Sequence, residues 1–167
     1  SNESFKGGRK NGVSKTYYWN GQLHVNMIYK DGRAEGPSEE YYKNGQLHVN
    51  MIYKDGKRHG LYEQYYENGK LQMRVVLKDN KFDGEYMGYN ENGKLEFTTV
   101  FKDGKRHGPY EEYYENGQLE VRGTFKDGKK DGNYEYYNKR RRLVAKCFWK
   151  NGKKSYCEEI SPDWTLG

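Results

Sequence analysis

Residues 109–132 read PYEEYYENGQLEVRGTFKDGKKDG, and close copies of this 24-residue segment fill most of the chain. Tetrapeptides of the form NGQL or NGKL recur at a constant spacing of 24 residues, beginning at Asn20, Asn44, Asn68, Asn92 and Asn116. A second series, KDG or a close variant, follows each of them ten residues later. Self-similarity at one fixed period indicates a single supersecondary unit repeated in tandem.

The whole chain, 1–167, is predicted to be one repeat domain. It comprises a partial repeat at 5–12, six repeats and a C-terminal cap at 157–167. The repeats span 13–36, 37–60, 61–84, 85–108, 109–132 and 133–156. The sixth repeat has Arg140-Arg141 in place of Asn-Gly, and terminal repeats usually depart from the common sequence because they cap the array.

Asn-Gly and Asp-Gly are strong hairpin signals because both central residues of a type I′ turn need positive φ. Two such turns in every repeat leave strands of about ten residues, and tight turns join antiparallel neighbours. The pattern therefore predicts an all-β protein. Its expected architecture is an elongated single-layer antiparallel meander of about twelve strands, built from tandem β-hairpin repeats.

Two-residue loops would place Tyr114 opposite Leu119 and Glu112 opposite Val121. One face would then be hydrophobic, and its residues would include Tyr110, Tyr114, Leu119, Val121 and Phe125. The opposite face would carry Glu111, Arg122 and a ladder of tyrosines, namely Tyr17, Tyr41, Tyr65, Tyr89, Tyr113 and Tyr137. A bulge at either turn would move this ladder across, because strand side chains alternate with a period of two.

Composition supports a thin sheet rather than a thick core. Only 33% of the 167 residues are hydrophobic and the mean hydropathy is −1.31, so a two-layer core is not expected. An aromatic fraction of 16% distinguishes the chain from disordered segments and should supply most of the packing. The net charge of +6 permits contact with anionic lipid or nucleic acid but does not indicate it.

The repeat disperses reactive groups instead of gathering them, so the sequence predicts no enzyme, no cofactor and no metal site. His24 and His48 occupy the same repeat position and should lie about 10 Å apart by strand spacing, too far to share one metal ion. Neighbouring carboxylates such as Glu111 and Glu112 point to opposite faces of a strand and cannot form an acid/base pair.

Four segments of the fifth repeat carry a family resemblance: Gly108-Pro109-Tyr110, Tyr113-Tyr114, Asn116 to Leu119, and Phe125 to Lys129. They resemble the bacterial variant of the MORN repeat (membrane occupation and recognition nexus), and the similarity extends over about 5–156. The resemblance implies an elongated β-meander. Bacterial members are commonly described as antitoxins of the YwqK family, and eukaryotic ones bind junctional, cytoskeletal or anionic-lipid partners.

Protein binding, or assembly of identical copies, is the predicted function, because a single-layer sheet cannot bury a hydrophobic face that recurs in every repeat. The candidate partner-binding residues are Tyr42, Tyr66, Tyr114, Leu47, Leu71, Leu95 and Leu119. The alternative is an anionic membrane surface or other polyanion, with nucleic acid disfavoured, bound along the basic turns. The residues of this basic edge are Lys54, Lys57, Arg58, Lys102, Lys105, Arg106, Lys126 and Lys129.

Cys147 and Cys157 are the only cysteines, and either a disulfide or two free thiols would suit them. A three-residue loop at 151–153 would place them directly opposite, whereas a two-residue loop would pair Cys147 with Tyr156. A disulfide would favour a third interpretation, an exported surface or structural protein. The compartment is left open between the cytoplasm and export after loss of an upstream signal.

Overall fold

The computed structural model describes residues 2–160, which form sixteen strands and no helix. The bounds are β1 Phe5–Lys6, β2 Arg9–Lys10, β3 Gly12–Tyr17, β4 Leu23–Lys30, β5 Arg33–Tyr41, β6 Leu47–Lys54, β7 Lys57–Tyr65, β8 Leu71–Lys78, β9 Lys81–Tyr89, β10 Leu95–Lys102, β11 Lys105–Tyr113, β12 Leu119–Lys126, β13 Lys129–Lys130, β14 Gly132–Tyr137, β15 Leu143–Lys150 and β16 Lys153–Glu159.

Fourteen of these strands form one long antiparallel sheet, and the short β1 and β2 form a separate two-stranded sheet. The order of strands in the large sheet follows the chain, as expected of a meander. The predicted fold class is therefore confirmed. The regular strands have eight or nine residues, and β16 reaches Glu159, so Cys157–Glu159 of the expected cap belong to the sheet. Residues 161–167 of that cap lie outside the described residues.

The chain divides into two compact units. Unit 1 contains Ser1–Phe82 with Glu91–Gly93, and unit 2 contains Asp83–Asn90 with Lys94–Gly167.

The Asp-Gly turns have the predicted two-residue form. In unit 2, Asp127 and Gly128 have φ values of 50° and 83°, and Lys126 lies directly opposite Lys129. Both central residues thus adopt the positive φ of a type I′ turn. Asp55 and Gly56 form the same turn in unit 1, with φ values of 51° and 79°.

The Asn-Gly turns are wider than predicted. Tyr114 donates its backbone N–H to Gln118 O and accepts from Gly117 N, while only Gly117 has positive φ. This is the hydrogen-bonding pattern of a three-residue loop with a glycine bulge. Leu119 is therefore opposite Tyr113, and the predicted pairing of Tyr114 with Leu119 is wrong.

The register away from this turn agrees with the prediction. Glu112 lies opposite Val121, and Glu111 lies opposite Arg122. The hydroxyl of Tyr113 donates to Glu111 Oε2 over 2.6 Å, which places Tyr113 on the face of Glu111 and Arg122. The extra loop residue changes the register only at the end of the strand, between Glu112 and Tyr113. The tyrosine ladder therefore remains on the predicted face.

A second irregularity follows every Asp-Gly turn. In unit 2, Phe101 lies opposite Arg106 and Thr99 lies opposite Tyr110, so Val100 alone faces three residues of β11. Gly108 lies in this bulge with a φ of 108°, a conformation that side-chain-bearing residues rarely adopt. Across this bulge β11 has two more residues than β10. Because two is an even number, the side chains of β11 on either side of the bulge keep the same alternation between the faces of the sheet.

Each unit has one packed face, here called the core face. In unit 1 the residues with almost no solvent exposure are Ser38, Val49, Met51, Val75 and Leu77. In unit 2 they include Thr99, Val121, Tyr134, Ala145 and Cys147. The opposite side carries the tyrosines and their glutamates, and is here called the ladder face.

Aromatic rings cover much of the core face of unit 2. Consecutive rings lie 5.4–6.5 Å apart between centroids, in the series Phe97, Tyr110, Phe125, Tyr134 and Trp149. The Tyr134 ring lies so close over Gly123 that a Cβ there would be 2.3 Å from Tyr134 Cε1. A residue without a side chain is therefore required at position 123 while the ring stays in place.

Candidate functional site

The tyrosines of the predicted partner site connect neighbouring repeats. The hydroxyl of Tyr42 donates to the carbonyl of Tyr65 over 2.7 Å, and that of Tyr114 donates to the carbonyl of Tyr137 over 2.8 Å. Tyr66 begins the equivalent turn of the third repeat. In unit 1 the Tyr42 ring also packs on His48, with centroids 4.2 Å apart. These rings stabilise the turn edge of the sheet.

The leucines of the predicted site are partly covered. Leu47, Leu71, Leu95 and Leu119 begin β6, β8, β10 and β12, and each is of intermediate exposure. Each lies opposite a ladder tyrosine, as Leu47 does with Tyr41. Their role in partner binding stays a prediction, but the largest exposed apolar side chains of the strands lie elsewhere.

Most residues of the predicted basic edge are exposed, but Arg106 is only partly exposed and packs against aromatic rings. Its guanidinium carbon lies 5.9, 5.8 and 5.3 Å from the ring centroids of Phe97, Tyr110 and Phe125 on the core face. Such cation–π contacts favour packing of the guanidinium over the rings. The exposed members in unit 2 are Lys102, Lys105, Lys126 and Lys129, and those in unit 1 are Lys54, Lys57 and Arg58.

A row of apolar side chains crosses the ladder face of unit 1. We call it the apolar stripe, and it consists of Val13, Ile28, Pro37, Ile52, Leu61 and Val76. Val13 lies opposite Ile28, Pro37 opposite Ile52, and Leu61 opposite Val76, so the row covers the six strands β3 to β8. Val13 is 47% exposed, Ile52 43%, and Leu61 and Val76 each 40%.

Glycine bulges allow the stripe to continue between hairpins. The Cδ1 atom of Ile28 lies 3.9 Å from the Cβ position of Gly36, and Cδ1 of Ile52 lies 3.6 Å from that of Gly60. Each isoleucine thus reaches over the bulge toward the next hairpin. The stripe is therefore contiguous, unlike isolated exposed apolar residues, which are normal on protein surfaces.

Fixed polar groups flank the stripe. Glu63 accepts from Tyr65 Oη at 2.9 Å and from Arg74 Nε at 2.8 Å. Burial alone would raise the pKa of the Glu63 carboxyl, but the hydrogen bonds from Arg74, Tyr65 and Asn50 outweigh it and hold that pKa below its ordinary value. The border of the stripe is thus charged and preorganised.

The equivalent positions in unit 2 are not uniformly apolar. They are occupied by Glu85, Val100, Pro109, Thr124, Asn133 and Phe148. Three of these six side chains are polar, which interrupts the row. The sequence contained this difference, but the prediction assigned the tyrosine ladder, Glu111 and Arg122 to this face and placed the partner site on the opposite face.

Cys147 lies directly opposite Cys157, and their sulfur atoms are joined in a disulfide. The loop between β15 and β16 nevertheless has only two residues, Asn151 and Gly152, with φ values of 50° and 80°. A register shift between Phe148 and Trp149 brings the cysteines into alignment. The expectation that a two-residue loop would pair Cys147 with Tyr156 is therefore wrong, because it ignored this bulge.

Side chains that could hold a metal ion are not grouped together in the part of the chain that the structure describes. Residues 2–160 contain no group of three or more histidine, cysteine or acidic side chains positioned to hold a metal ion. Within the same range, no helix is long and apolar enough to cross a membrane. The recognisable surface features are the apolar stripe and the charged turns.

The fold and these surfaces define a tandem β-hairpin repeat scaffold. A profile of the family described as "MORN repeat variant" matches five consecutive segments, 10–31, 34–55, 58–79, 82–103 and 106–127. The chain belongs to this family. MORN repeats form a non-catalytic scaffold, and proteins built from them typically mediate protein or membrane binding.

Other comparisons add little. A search of curated proteins gave no significant match. Among solved structures, a mutant of S. aureus TarM in complex with Fondaparinux, alpha-GlcNAc-glycerol and UDP is similar at a TM-score of 0.40 and 13% identity. The similarity covers 65% of this chain but only 21% of that chain. A similarity this weak supports no functional conclusion.

Proposed function

We propose that this protein is a binding scaffold that captures a protein partner on the apolar stripe of unit 1. The observation that supports this proposal is a contiguous row of six apolar residues on the ladder face, of which all but the partly covered Ile28 are exposed. Contiguous exposed apolar surface is typical of interaction sites. A protein surface is the fitting occupant because polar groups border the row, as at most protein interfaces.

The exposed area is large enough to matter for affinity. Complete burial of one stripe side chain that is 40–47% exposed should contribute about 1–2 kcal/mol at 25 cal/mol per Å². Two such residues therefore account for roughly a thirtyfold to several-hundredfold change in affinity. Because their side chains are already partly in water, replacing them should disturb the fold little.

The test is an affinity capture from a lysate of the source organism with quantitative mass spectrometry. Ile52→Ser/Leu61→Ser is compared with the wild-type chain and with Val100→Ser/Phe148→Ser, which changes equivalent positions in unit 2. A genuine partner is lost from the Ile52/Leu61 variant and retained by the Val100/Phe148 variant. Equal capture by all three proteins would refute the proposal. Sedimentation of the purified chain would show whether the partner is a second copy.

The predicted site at Tyr114 and its equivalents competes with this assignment. Tyr114→Phe removes the hydroxyl that bonds to Tyr137 O and keeps the ring. If the stripe is the site, this variant captures the partner normally and loses only stability.

A narrower form of the proposal is neutralisation of a toxin, which rests on the resemblance to bacterial antitoxins alone. It requires that the captured partner be toxic and that the chain suppress its activity. The alternative function, binding of anionic lipid along the basic edge, predicts that the chain floats with phosphatidylserine vesicles at low salt. Tight flotation that Lys102→Glu/Lys126→Glu abolishes would favour that alternative.

A further inference from the structure

The turn of the sixth repeat keeps the backbone of its equivalents but has a different chemistry. Residues 139–142 read KRRR and are here called the basic turn. Asn138 N donates to Arg142 O, and Arg141 N donates to Asn138 O, each over 2.9 Å. These bonds match those that Tyr114 makes with Gln118 and Gly117. Four consecutive cationic side chains therefore extend from one rigid loop.

Arg141 occupies a position that favours glycine. Its φ is 61°, while the equivalent residues of the other five turns are glycines with φ values of 80–85°. Residues with a Cβ adopt this conformation at a cost in free energy. The loop is held there because Asn138 Oδ1 accepts hydrogen bonds from both Arg140 N and Arg142 N. A strained residue that persists in an ordered loop is a reason to look for a function.

The side chains of the basic turn form no ion pair with a carboxylate among the described residues of unit 2. Within the described residues of that unit, the basic partners in carboxylate ion pairs are His107, Arg122, Lys146 and Lys150. All four side chains of 139–142 are exposed to solvent. Their charge is thus available to an external anion.

A cleft adjoins the basic turn. It has a volume of about 290 Å³ and is lined by Lys94, Tyr114, Glu115, Asn116 and Lys139. Lys139 Nζ lies 5.8 Å from the Tyr114 ring centroid, and Lys94 Nζ donates to the carbonyl of Glu115 over 2.8 Å. Two ammonium groups and the Asn116 amide therefore line one concave surface.

We infer that the basic turn and this cleft form a binding site for an acidic protein segment, meaning a short run of glutamate or aspartate. Arginine guanidinium groups bind carboxylates through paired hydrogen bonds, and the two lysines that line the cleft supply further positive charge for a carboxylate. The site differs from the apolar stripe in position and in chemistry, so it goes beyond the function proposed above.

The surrounding charges favour a compact acidic segment over an extended polyanion. Glu115 lines the cleft itself, and Glu120 is close enough to interact with Lys139. A nucleic acid strand or an anionic membrane would place continuous negative charge over these carboxylates. A peptide can instead place its few carboxylates on the basic turn and avoid Glu115.

The test measures fluorescence anisotropy of a labelled hexaglutamate peptide with the full chain, with hexaglutamine as the uncharged reference. Arg140→Asn/Arg141→Gly restores the Asn-Gly of the other repeats and relieves the positive φ of an arginine, so this variant should fold at least as well as the wild type. We expect it to weaken hexaglutamate binding at least tenfold. Lys94→Gln should weaken binding about threefold, through the cleft.

Arg9→Gln/Arg33→Gln is the matched control, because it removes the same number of charges from exposed arginines of unit 1. Its hexaglutamate affinity should stay within twofold of wild type. Equal loss in both double variants would overturn the inference, since binding would then follow net charge alone. A 12-residue uridine oligonucleotide or phosphatidylserine vesicles that bind more tightly than hexaglutamate and depend on Arg140 and Arg141 would also overturn it.

Discussion

Gly123→Ala is the sharpest test of how the core face of unit 2 is built. A Cβ at position 123 would lie 2.3, 2.5 and 2.5 Å from Cε1, Cδ1 and Cζ of the Tyr134 ring. Tyr134 is fully buried and cannot swing into solvent without loss of its contacts. Because Gly123 lacks the positive φ that makes alanine unfavourable, any cost of this substitution comes from the ring.

The magnitude follows from the contacts that Tyr134 would lose. Overpacking a filled core costs typically 1–3 kcal/mol. Displacement of the ring would also weaken the 2.9 Å hydrogen bond from its hydroxyl to Thr124 O, worth about 1 kcal/mol. The edge contacts with Phe125 and Trp149, at 6.3 and 6.1 Å, would weaken as well. We expect Gly123→Ala to lower the free energy of unfolding by about 2–4 kcal/mol.

The assay is urea unfolding monitored by tryptophan fluorescence, to which Trp149 contributes through its packing against Tyr134. The same substitution is measured in a Tyr134→Ser background, where the added methyl group meets no ring. There it should cost less than about 0.5 kcal/mol, so the double-mutant cycle should show strong coupling. An equal cost in both backgrounds, or a cost below about 0.5 kcal/mol in the wild type, would refute this account of Gly123.

Two further predictions concern charge and redox state. Glu63→Gln should destabilise the protein by about 1–2 kcal/mol at pH 7. Since the folded-state pKa of Glu63 is lowered, its ionised form stabilises the fold above the unfolded-state pKa of about 4.3, and this contribution is lost as pH falls through the folded-state pKa. Urea unfolding at pH 7 and pH 3 should therefore give a smaller difference between Glu63→Gln and wild type at pH 3; a constant difference would contradict the assignment. Reduction of Cys147 and Cys157 should cost about 2–3 kcal/mol, from the short loop that the disulfide closes, and a thiol assay in denaturant should detect no free thiol in protein purified without reductant; two reactive thiols would contradict the disulfide.

Much of the fold follows from local sequence. The 24-residue period determines the repeat, and Asp127-Gly128 forms the predicted turn because both of its residues tolerate positive φ. Glu112 lies opposite Val121 as predicted although the loop has three residues, because a register shift next to Tyr113 offsets the extra loop residue. The repeat and the Asp-Gly turn depend only on neighbours in the chain, which is why they could be predicted from the sequence.

The candidate surfaces were less accessible to sequence reasoning. The tyrosines and leucines chosen for partner binding were assigned to the more hydrophobic face, but the fold uses Tyr42 and Tyr114 to bridge repeats. Ile52 and Leu61 were not among the predicted site residues. Only the pairing of strands brings them into one row, because that row runs across the strands and not along the chain.

The sequence by itself determined the repeat length, the β-hairpin class and the position of the Asp-Gly turns. The tertiary structure decided the loop size at Asn116-Gly117, the alignment of Cys147 with Cys157, and the identity of the exposed apolar row. The reason is that extra residues in a loop or strand change locally which residues lie opposite each other, while the repeat pattern stays unchanged. Gly108, with its positive φ, lies in one such bulge, where three residues of one strand face Val100 of the next.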